Sequence, residues 1–237
     1  MIKNKKTATL CAIFVFIEAV LAYFIFISDA DFVSGASFLS IVCAFLFALL
    51  FINIKSKTLL LNIGLLFTVC ADLFLVIADP IQQSAGMVFF SFTQMCYFAF
   101  LYLSDENKKR KLIHICVRIG AVFTAELVML AVIGDKTDFL SAISIFYIAN
   151  LATSVVFSYS QGKKLRLFAV ALTLFIMCDI LIGLSSAIGV YLDVSEDSLF
   201  YKIAYPSFNL AWVFYLPSQM LIAIYTALKN NRLFFEK

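Results

Sequence analysis

The stretch Gly64–Ala78, GLLFTVCADLFLVIA, is an apolar run with one carboxylate, Asp72, near its centre. An apolar run of this kind predicts a helix that crosses a membrane. An ionised side chain in hydrocarbon costs about 3 kcal/mol or more, so a membrane helix keeps one mainly where it faces a partner or water. A second run, Thr173–Ser186, repeats the arrangement around Asp179. The two runs therefore predict a pair of functional carboxylates.

The rest of the chain shares this apolar character. Of its 237 residues, 63% are hydrophobic and 14% are charged, and the mean hydropathy is +1.01. No water-soluble core of this size requires such a composition, so we predict an all-α integral membrane protein. The single histidine and six dispersed cysteines without a CxxC pair predict no metal site and no disulfide.

Eight apolar stretches approach the length of about 20 residues that a bilayer requires. They lie at roughly 7–27, 36–53, 58–78, 84–103, 112–133, 139–159, 167–189 and 204–228. No loop between them is long enough to bury a core of its own. Residues 1–237 are therefore predicted to form one multi-pass domain, a bundle of eight transmembrane helices.

Basic residues concentrate in alternate loops and at both ends of the chain. They are Lys3, Lys5, Lys6, Lys55, Lys57, Lys108, Lys109, Arg110, Lys111, Lys163, Lys164, Arg166, Lys229, Arg232 and Lys237. The opposite loops carry only Lys136 and Lys202, with several acids. The positive-inside rule then places both termini in the cytoplasm, and in a bacterium the membrane would be the plasma membrane. Topology accounts for the basic clusters, so no nucleic-acid partner is predicted.

Three pairs of charged residues recur at nearly the same separation. They are Glu18 and Glu126, 108 residues apart, and Asp72 with Asp179 and Lys57 with Lys164, each 107 residues apart. An even number of helices preserves orientation in the membrane. The spacing therefore indicates a parallel duplication of two four-helix halves.

The two aspartates are predicted to lie at the same depth. Asp72 lies 15 residues beyond Lys57, and Asp179 lies 13 residues beyond Arg166. At the rise of an α-helix these separations are about 22 Å and about 20 Å from the cytoplasmic edge. Equal depth predicts that they face each other across one cavity open toward the outer leaflet. The alternative is that each acid only hydrogen-bonds a neighbouring helix.

Polar faces on three other helices complete the predicted site. They are Ser144, Tyr147, Asn150, Ser154 and Ser158 on the sixth helix, Ser91, Gln94 and Tyr97 on the fourth, and Trp212, Tyr215 and Gln219 on the eighth. We predict Gln94, Tyr97, Asn150, Tyr215 and Gln219 as substrate-binding residues. The alternative, which we favour for the serines, is polar contact between helices.

Four other polar residues are assigned outside this site. Arg118 is predicted to extend its charged group to the cytoplasmic surface, and His114 to lie at the same interface. Arg118 lies eight residues before Glu126, a spacing that excludes a direct ion pair between them. Glu18 and Glu126 are expected near the rim of the bundle or in a separate contact.

Several chemistries are excluded by their missing motifs. The sequence has no GxSxG and no histidine placed for a serine-hydrolase triad. No lysine lies inside a predicted helix to carry a retinal Schiff base. No glycine-rich phosphate-binding loop is present.

The residues around the aspartates resemble those of the YhhN family, eight-helix membrane proteins that include the lysoplasmalogenases. The third helix is similar to the family's Gly-Leu-Leu-Phe-Ser-x-x-Gly-Asp-x-x-Leu signature, with Thr68 for Ser and Ala71 for Gly. The fourth helix resembles His-x-x-Tyr, here Gln94 and Tyr97. The remaining matches are Phe-x-x-Ser-Asp, here Phe175, Cys178 and Asp179, and Tyr-x-x-x-Gln, here Tyr215 and Gln219. The Lys-Pro pair that the family often has near its second helix is missing.

The resemblance implies an ether hydrolase whose partners are a lysophospholipid substrate and membrane lipids. Lysoplasmalogenases cleave the vinyl ether bond of a lysoplasmalogen to a fatty aldehyde and glycerophosphoethanolamine or glycerophosphocholine, without a cofactor. Such hydrolysis needs one protonated acid and one group that stabilises positive charge or activates water, roles that suit Asp72 and Asp179. The alternative is a proton-coupled transporter or lipid-binding protein that uses Glu18, Asp72, Glu126 and Asp179.

Overall fold

The computed structural model describes residues 5–27, 30–190, 194–206 and 208–235. Within these residues the chain forms α-helices and no strand. The α-helices are α1 Lys5–Ile27, α2 Ala30–Leu49, α3 Leu59–Asp72, α4 Gln83–Ser104, α5 Lys108–Ile133, α6 Phe139–Ser160, α7 Arg166–Val190, α8 Leu199–Ala204 and α9 Leu210–Phe235. All except α8 are long and apolar enough to cross a membrane, α3 together with the helical turn that follows it. The predicted eight-span, all-helical membrane protein is confirmed.

Part of the predicted charge pattern lies outside the described residues. The residues concerned are Lys3, Asp29, Asp193 and Lys237. The cytoplasmic location of the termini stays a prediction.

Three predicted helix boundaries are wrong by several residues. The second helix begins at Ala30 and ends at Leu49, earlier than the predicted 36–53. The fifth begins at Lys108, because the Asn107 side chain accepts a hydrogen bond from the backbone N–H of Arg110 and caps the helix there. The predicted helix 204–228 contains Pro206, which lacks an N–H and disfavours helical backbone before it, so α8 ends first and α9 begins at Leu210.

The helical segment that carries Asp72 changes type directly after that residue. Asp72 ends the α-helical part of α3, and Leu73–Ile77 continues as a π-helix to the end of the predicted span. Short π-helical turns are rare and occur often at functional sites. The backbone irregularity therefore marks the position of Asp72.

The helices close into a ring around a common core. In the described part of the chain, the order of neighbours is α1, α2, α3, α4, α6, α7 and α9, which returns to α1 and α2. One hydrophobic cluster takes residues from every helix of this ring. Helix α5 lies outside the ring, packs against α6 and is the least buried of the spans.

The pattern of neighbours repeats with a shift of four spans. The contacts α1–α2, α2–α3 and α3–α4 recur as α5–α6, α6–α7 and α7–α9, and α4–α6 corresponds to α9–α2. This repetition agrees with the parallel duplication predicted from the spacing of the charged residues.

An ion pair holds the corner between α4 and α5. Arg110 donates to both carboxylate oxygens of Asp105, one at 2.7 Å, and also to the carbonyl of Ser160 at 2.9 Å. The Arg110 guanidinium holds the pKa of Asp105 below its ordinary value. The corner thereby joins the ends of α4, α5 and α6.

Helices α3 and α4 approach closely at Gly64. A Cβ atom on Gly64 would lie 2.6 Å from Cε1 of Tyr97. The Thr93 hydroxyl donates to the Gly64 carbonyl at 3.2 Å. This contact positions the helix that carries Asp72.

Replacing Gly64 with Ala should destabilise the protein. The added methyl group overlaps a buried ring, so Gly64→Ala is expected to lower the free energy of unfolding by about 1–3 kcal/mol. Chemical denaturation in mixed micelles measures the change. Gly120→Ala is the matched control, because nothing lies within 4 Å of a Cβ there. Equal stability of the two variants would show that α3 and α4 do not pack tightly at Gly64.

Candidate active site

Asp72 lies at the end of the α-helical part of α3 and is almost fully enclosed. Its exposed fraction is 3%. The Tyr215 hydroxyl of α9 donates to Asp72 Oδ2 at 2.6 Å. A charge-assisted hydrogen bond from a neighbouring helix therefore satisfies one oxygen of this buried acid.

Asp179 lies on α7 and is half-buried. The Tyr147 hydroxyl of α6 donates to Asp179 Oδ2 at 2.5 Å. Tyr147 belongs to the predicted polar face of α6 but was not predicted as a site residue. The signal that finds it is its place, three residues before Asn150, on the polar face of α6.

The two tyrosines share one aromatic cluster, which consists of Phe90, Tyr147, Phe175 and Tyr215. Ring centroids of Phe90 lie 5.6 Å from Tyr147, 5.7 Å from Phe175 and 6.4 Å from Tyr215. Phe175 lies 6.3 Å from Tyr147 and 5.5 Å from Tyr215. Asp72 and Asp179 are thus both hydrogen-bonded to this cluster.

Each carboxylate retains an oxygen for further contacts. Within the described residues, the side-chain hydrogen bonds of Asp72 and Asp179 go to Oδ2 alone. Oδ1 of each aspartate has no side-chain donor among the described residues. Cys178, which stands where the family pattern has Ser, is buried beside Asp179.

Gln94 and Gln219 lie one helical turn from the aromatic cluster. Gln94 follows Phe90 on α4, and Gln219 follows Tyr215 on α9 beyond Pro217. Both are buried, and neither amide atom of Gln94 has a hydrogen-bond partner among the described residues. Oε1 of Gln219 also has no hydrogen-bond partner among the described residues, while its Nε2 donates to Ser218 Oγ at 3.2 Å.

Tyr97 lies deeper in the packed core than the aromatic cluster. It is fully buried, its ring is 5.5 Å from Phe168 of α7, and its edge faces Gly64 of α3. The structure therefore brings Tyr97 to the contact between α3 and α4.

Asn150 contacts Arg118 rather than either aspartate. Arg118 is 6% exposed and donates to Asn150 Oδ1 at 2.7 Å and to Ser154 Oγ at 2.8 Å. Its guanidinium lies 4.4 Å from the ring centroid of Phe98. The prediction that Arg118 extends to the surface is wrong, because the polar face of α6 supplies acceptors inside the bundle.

His114, predicted to lie at the cytoplasmic interface, is enclosed by neighbouring helices at the start of α5. His114 is buried, stacks on Phe157 with centroids 3.9 Å apart, and lies 3.2 Å from an Arg118 nitrogen. The aromatic side chains of α4 and α6 enclose this ring, so α5 packs here through its basic residues.

The other two membrane acids lie apart from the aspartates. Glu18 accepts a hydrogen bond from Ser40 at 2.5 Å, which joins α1 to α2. Glu126 lies half-buried on the peripheral helix α5. Glu18 therefore has the separate contact expected for it, and the four acids do not share one site.

A cavity of about 440 Å³ lies beside the part of α7 that follows Asp179, and neither aspartate is among its lining residues. Its walls come from α7, α8 and the start of α9, and they include Leu181, Ile182, Tyr205 and Asn209. Leu181 and Ile182 follow Asp179 within one helical turn. The cavity lies on the side predicted to face the outer leaflet.

Comparison with known proteins identifies the family. The model of the YhhN family matches residues 32–225. The chain belongs to the YhhN family. No match was found among curated proteins or among solved structures. The range matched to the YhhN model includes both aspartates, both tyrosines and Arg118.

The Tyr215 bond to Asp72 should contribute to stability. Tyr215→Phe leaves Oδ2 of a buried carboxyl group without its donor, so the free energy of unfolding is expected to fall by about 1–3 kcal/mol. Thermal unfolding in detergent measures the effect. Tyr23→Phe is the control, because Tyr23 is 59% exposed on α1. A Tyr215→Phe variant as stable as Tyr23→Phe would contradict the assigned bond.

Proposed function

We propose that this YhhN protein hydrolyses the vinyl ether bond of lysoplasmalogens, with Asp72 and Asp179 as the general acid and base. The family is associated with lysoplasmalogenase activity. The observation that carries the proposal is the pair of carboxyl groups, Asp72 buried and Asp179 half-buried, that Tyr215 and Tyr147 bond to one aromatic cluster. Two carboxyl groups in an apolar site do not both ionise readily, which supplies one proton donor and one acceptor.

The reaction begins with proton transfer from the protonated carboxyl group to the vinyl carbon that is not bonded to the ether oxygen. The electron pair of the carbon–carbon double bond forms the new C–H bond, and the other vinyl carbon and the ether oxygen share the positive charge as an oxocarbenium ion. Water adds to the oxygen-bonded carbon while the second carboxylate accepts a proton from the water. The hemiacetal then loses its glycerol oxygen, which takes up a proton, and the fatty aldehyde remains.

The aromatic cluster suits the positive charge that develops during this reaction. An oxocarbenium ion carries positive charge, and the faces of aromatic rings attract cations. Phe90 and Phe175 lie between the two tyrosines and restrict the access of bulk water. Tyr147 and Tyr215 hold the carboxyl groups in position, which general acid–base catalysis requires.

Gln94 and Gln219 are the proposed polar contacts for substrate or water. Both are buried with unsatisfied amide atoms one turn from the cluster. Tyr97 acts indirectly in this scheme, since it positions α4 against α3. Asn150 acts through Arg118, to which it is bonded.

No observation favours the transporter alternative. That function requires Glu18, Asp72, Glu126 and Asp179 in one cavity. Glu18 is bonded between α1 and α2, and Glu126 lies on the peripheral helix.

The direct test is aldehyde release from lysoplasmenylethanolamine by purified protein. Asp72→Asn and Asp179→Asn should each lower kcat by at least about 100-fold, because each removes an acid–base group. Ester and saturated alkyl-ether lysolipids should not react, since protonation of a vinyl carbon is impossible in them.

Glu18→Gln is the matched control for these two variants. It also converts a buried membrane acid to an amide, but away from the aspartates, so its activity should equal that of the wild type. Full activity in Asp72→Asn or Asp179→Asn, with the fold intact by gel filtration, would rule out the paired-acid mechanism.

A further inference from the structure

Arg118 carries a charge inside the membrane without a counter-charge from the protein. It is 6% exposed and lies on a helix that crosses the bilayer. In the described residues the one ion pair joins Asp105 to Arg110, and no carboxylate reaches Arg118. An unpaired charge in hydrocarbon is costly and is therefore a functional-site hypothesis by default.

The hydrogen bonds of Arg118 leave donor capacity unused. Its partners Asn150, Ser154 and His114 are all neutral acceptors. Its Nε is buried and has no partner in the described part of the chain. The planar guanidinium fork matches the oxygens of a phosphate group.

The packing of α5 on α6 does not by itself require an arginine. At the spacing of the duplication, Leu10 on α1 corresponds to Arg118, while Cys43 and Phe47 on α2 correspond to Asn150 and Ser154. There Phe47 stacks on Phe14 with centroids 4.2 Å apart. At these positions the first half has apolar side chains, and the polar contact between α1 and α2 lies elsewhere, at Glu18 and Ser40. The buried arginine is therefore particular to the second half.

Arg118 and its partners His114, Asn150 and Ser154 form what we call the arginine cluster. This cluster is linked to the aspartate site along two helices, α4 and α6. On α6, Asn150 and Ser154 follow Tyr147 by about 4.5 Å and about 10 Å along the helix axis. On α4, the ring of Phe90 contacts the aspartate site and that of Phe98 covers Arg118. Gln94 lies midway between these rings, fully buried, with both amide atoms unpartnered among the described residues.

We propose that Arg118 binds the phosphate of the lysophospholipid whose vinyl ether lies at Asp72 and Asp179, and that Gln94 contacts the glycerol unit between them. The inference rests on the proposed function, which supplies the class of ligand. A glycerol unit separates these two groups in the substrate. The head group then points toward the basic loops, and the alkenyl chain points toward the cavity between α7, α8 and α9.

Binding of unreactive probes tests this proposal without hydrolysis. The probes are a 1-O-alkyl glycerophosphoethanolamine and the 1-O-alkylglycerol of equal chain length, measured by native mass spectrometry. The wild type should bind the phosphate-bearing probe more tightly. Arg118→Leu should lower that affinity about 10- to 100-fold, the effect of a lost charged hydrogen bond, and leave the alkylglycerol affinity unchanged.

Asn150→Asp separates ligand binding from a structural role of Arg118. The new carboxylate pairs with Arg118 inside the protein, so the fold is retained while the affinity for the phosphate probe should fall as in Arg118→Leu. Glu126→Gln, a charge change on the same helix, should bind as the wild type does.

Three results would overturn the proposal. Arg118→Leu could lower the affinity for both probes equally, or Asn150→Asp could bind the phosphate-bearing probe as tightly as the wild type. The third result is displacement of the phosphate-bearing probe by inorganic phosphate at equal concentration. The last result would assign the site to free phosphate. Arg118-dependent binding without aldehyde release from a lysoplasmalogen would contradict the hydrolase function alone.

Discussion

The structure depends on two tyrosine hydroxyls that donate to two carboxyl groups inside an apolar bundle. Tyr215 bonds Asp72 between α9 and α3, and Tyr147 bonds Asp179 between α6 and α7. Because a buried acid without a partner is costly, each bond fixes which helices face one another. Phe90 and Phe175 fill the space between the tyrosines. The helix ring therefore brings one buried and one half-buried acid to the same aromatic cluster.

The two halves of the bundle share a plan but differ where chemistry is proposed. The order of neighbouring helices repeats, yet Asp72 takes its tyrosine from the last span, and Asp179 takes its tyrosine from the sixth. The pair α1–α2 is joined by stacked phenylalanines and by the hydrogen bond from Ser40 to Glu18, whereas α5–α6 contains Arg118 and its partners. The second half thus adds a cationic site that the first half lacks.

The sequence was enough to predict the spans and the two acids, because hydropathy and the cost of an intramembrane carboxylate are local properties. The last span begins at Leu210 because Pro206 interrupts the helix before it. A prediction from apolar content alone overlooks this proline. The environment of Arg118 was not predictable in the same way. Its burial depends on α5 packing against the polar face of α6, and no periodicity in α5 states which helix lies opposite. Tyr147 was missed because the sequence of α6 does not state that this residue faces Asp179 of α7.

The most direct test of the central claim is to follow the proton that starts the reaction. The purified protein is given a lysoplasmalogen in D₂O, and the aldehyde is trapped at once and examined by mass spectrometry. Carbon protonation by an enzyme acid predicts an aldehyde with a single deuterium on the carbon next to the carbonyl. Failure to release aldehyde, or release of an aldehyde without deuterium at that carbon, would contradict the account.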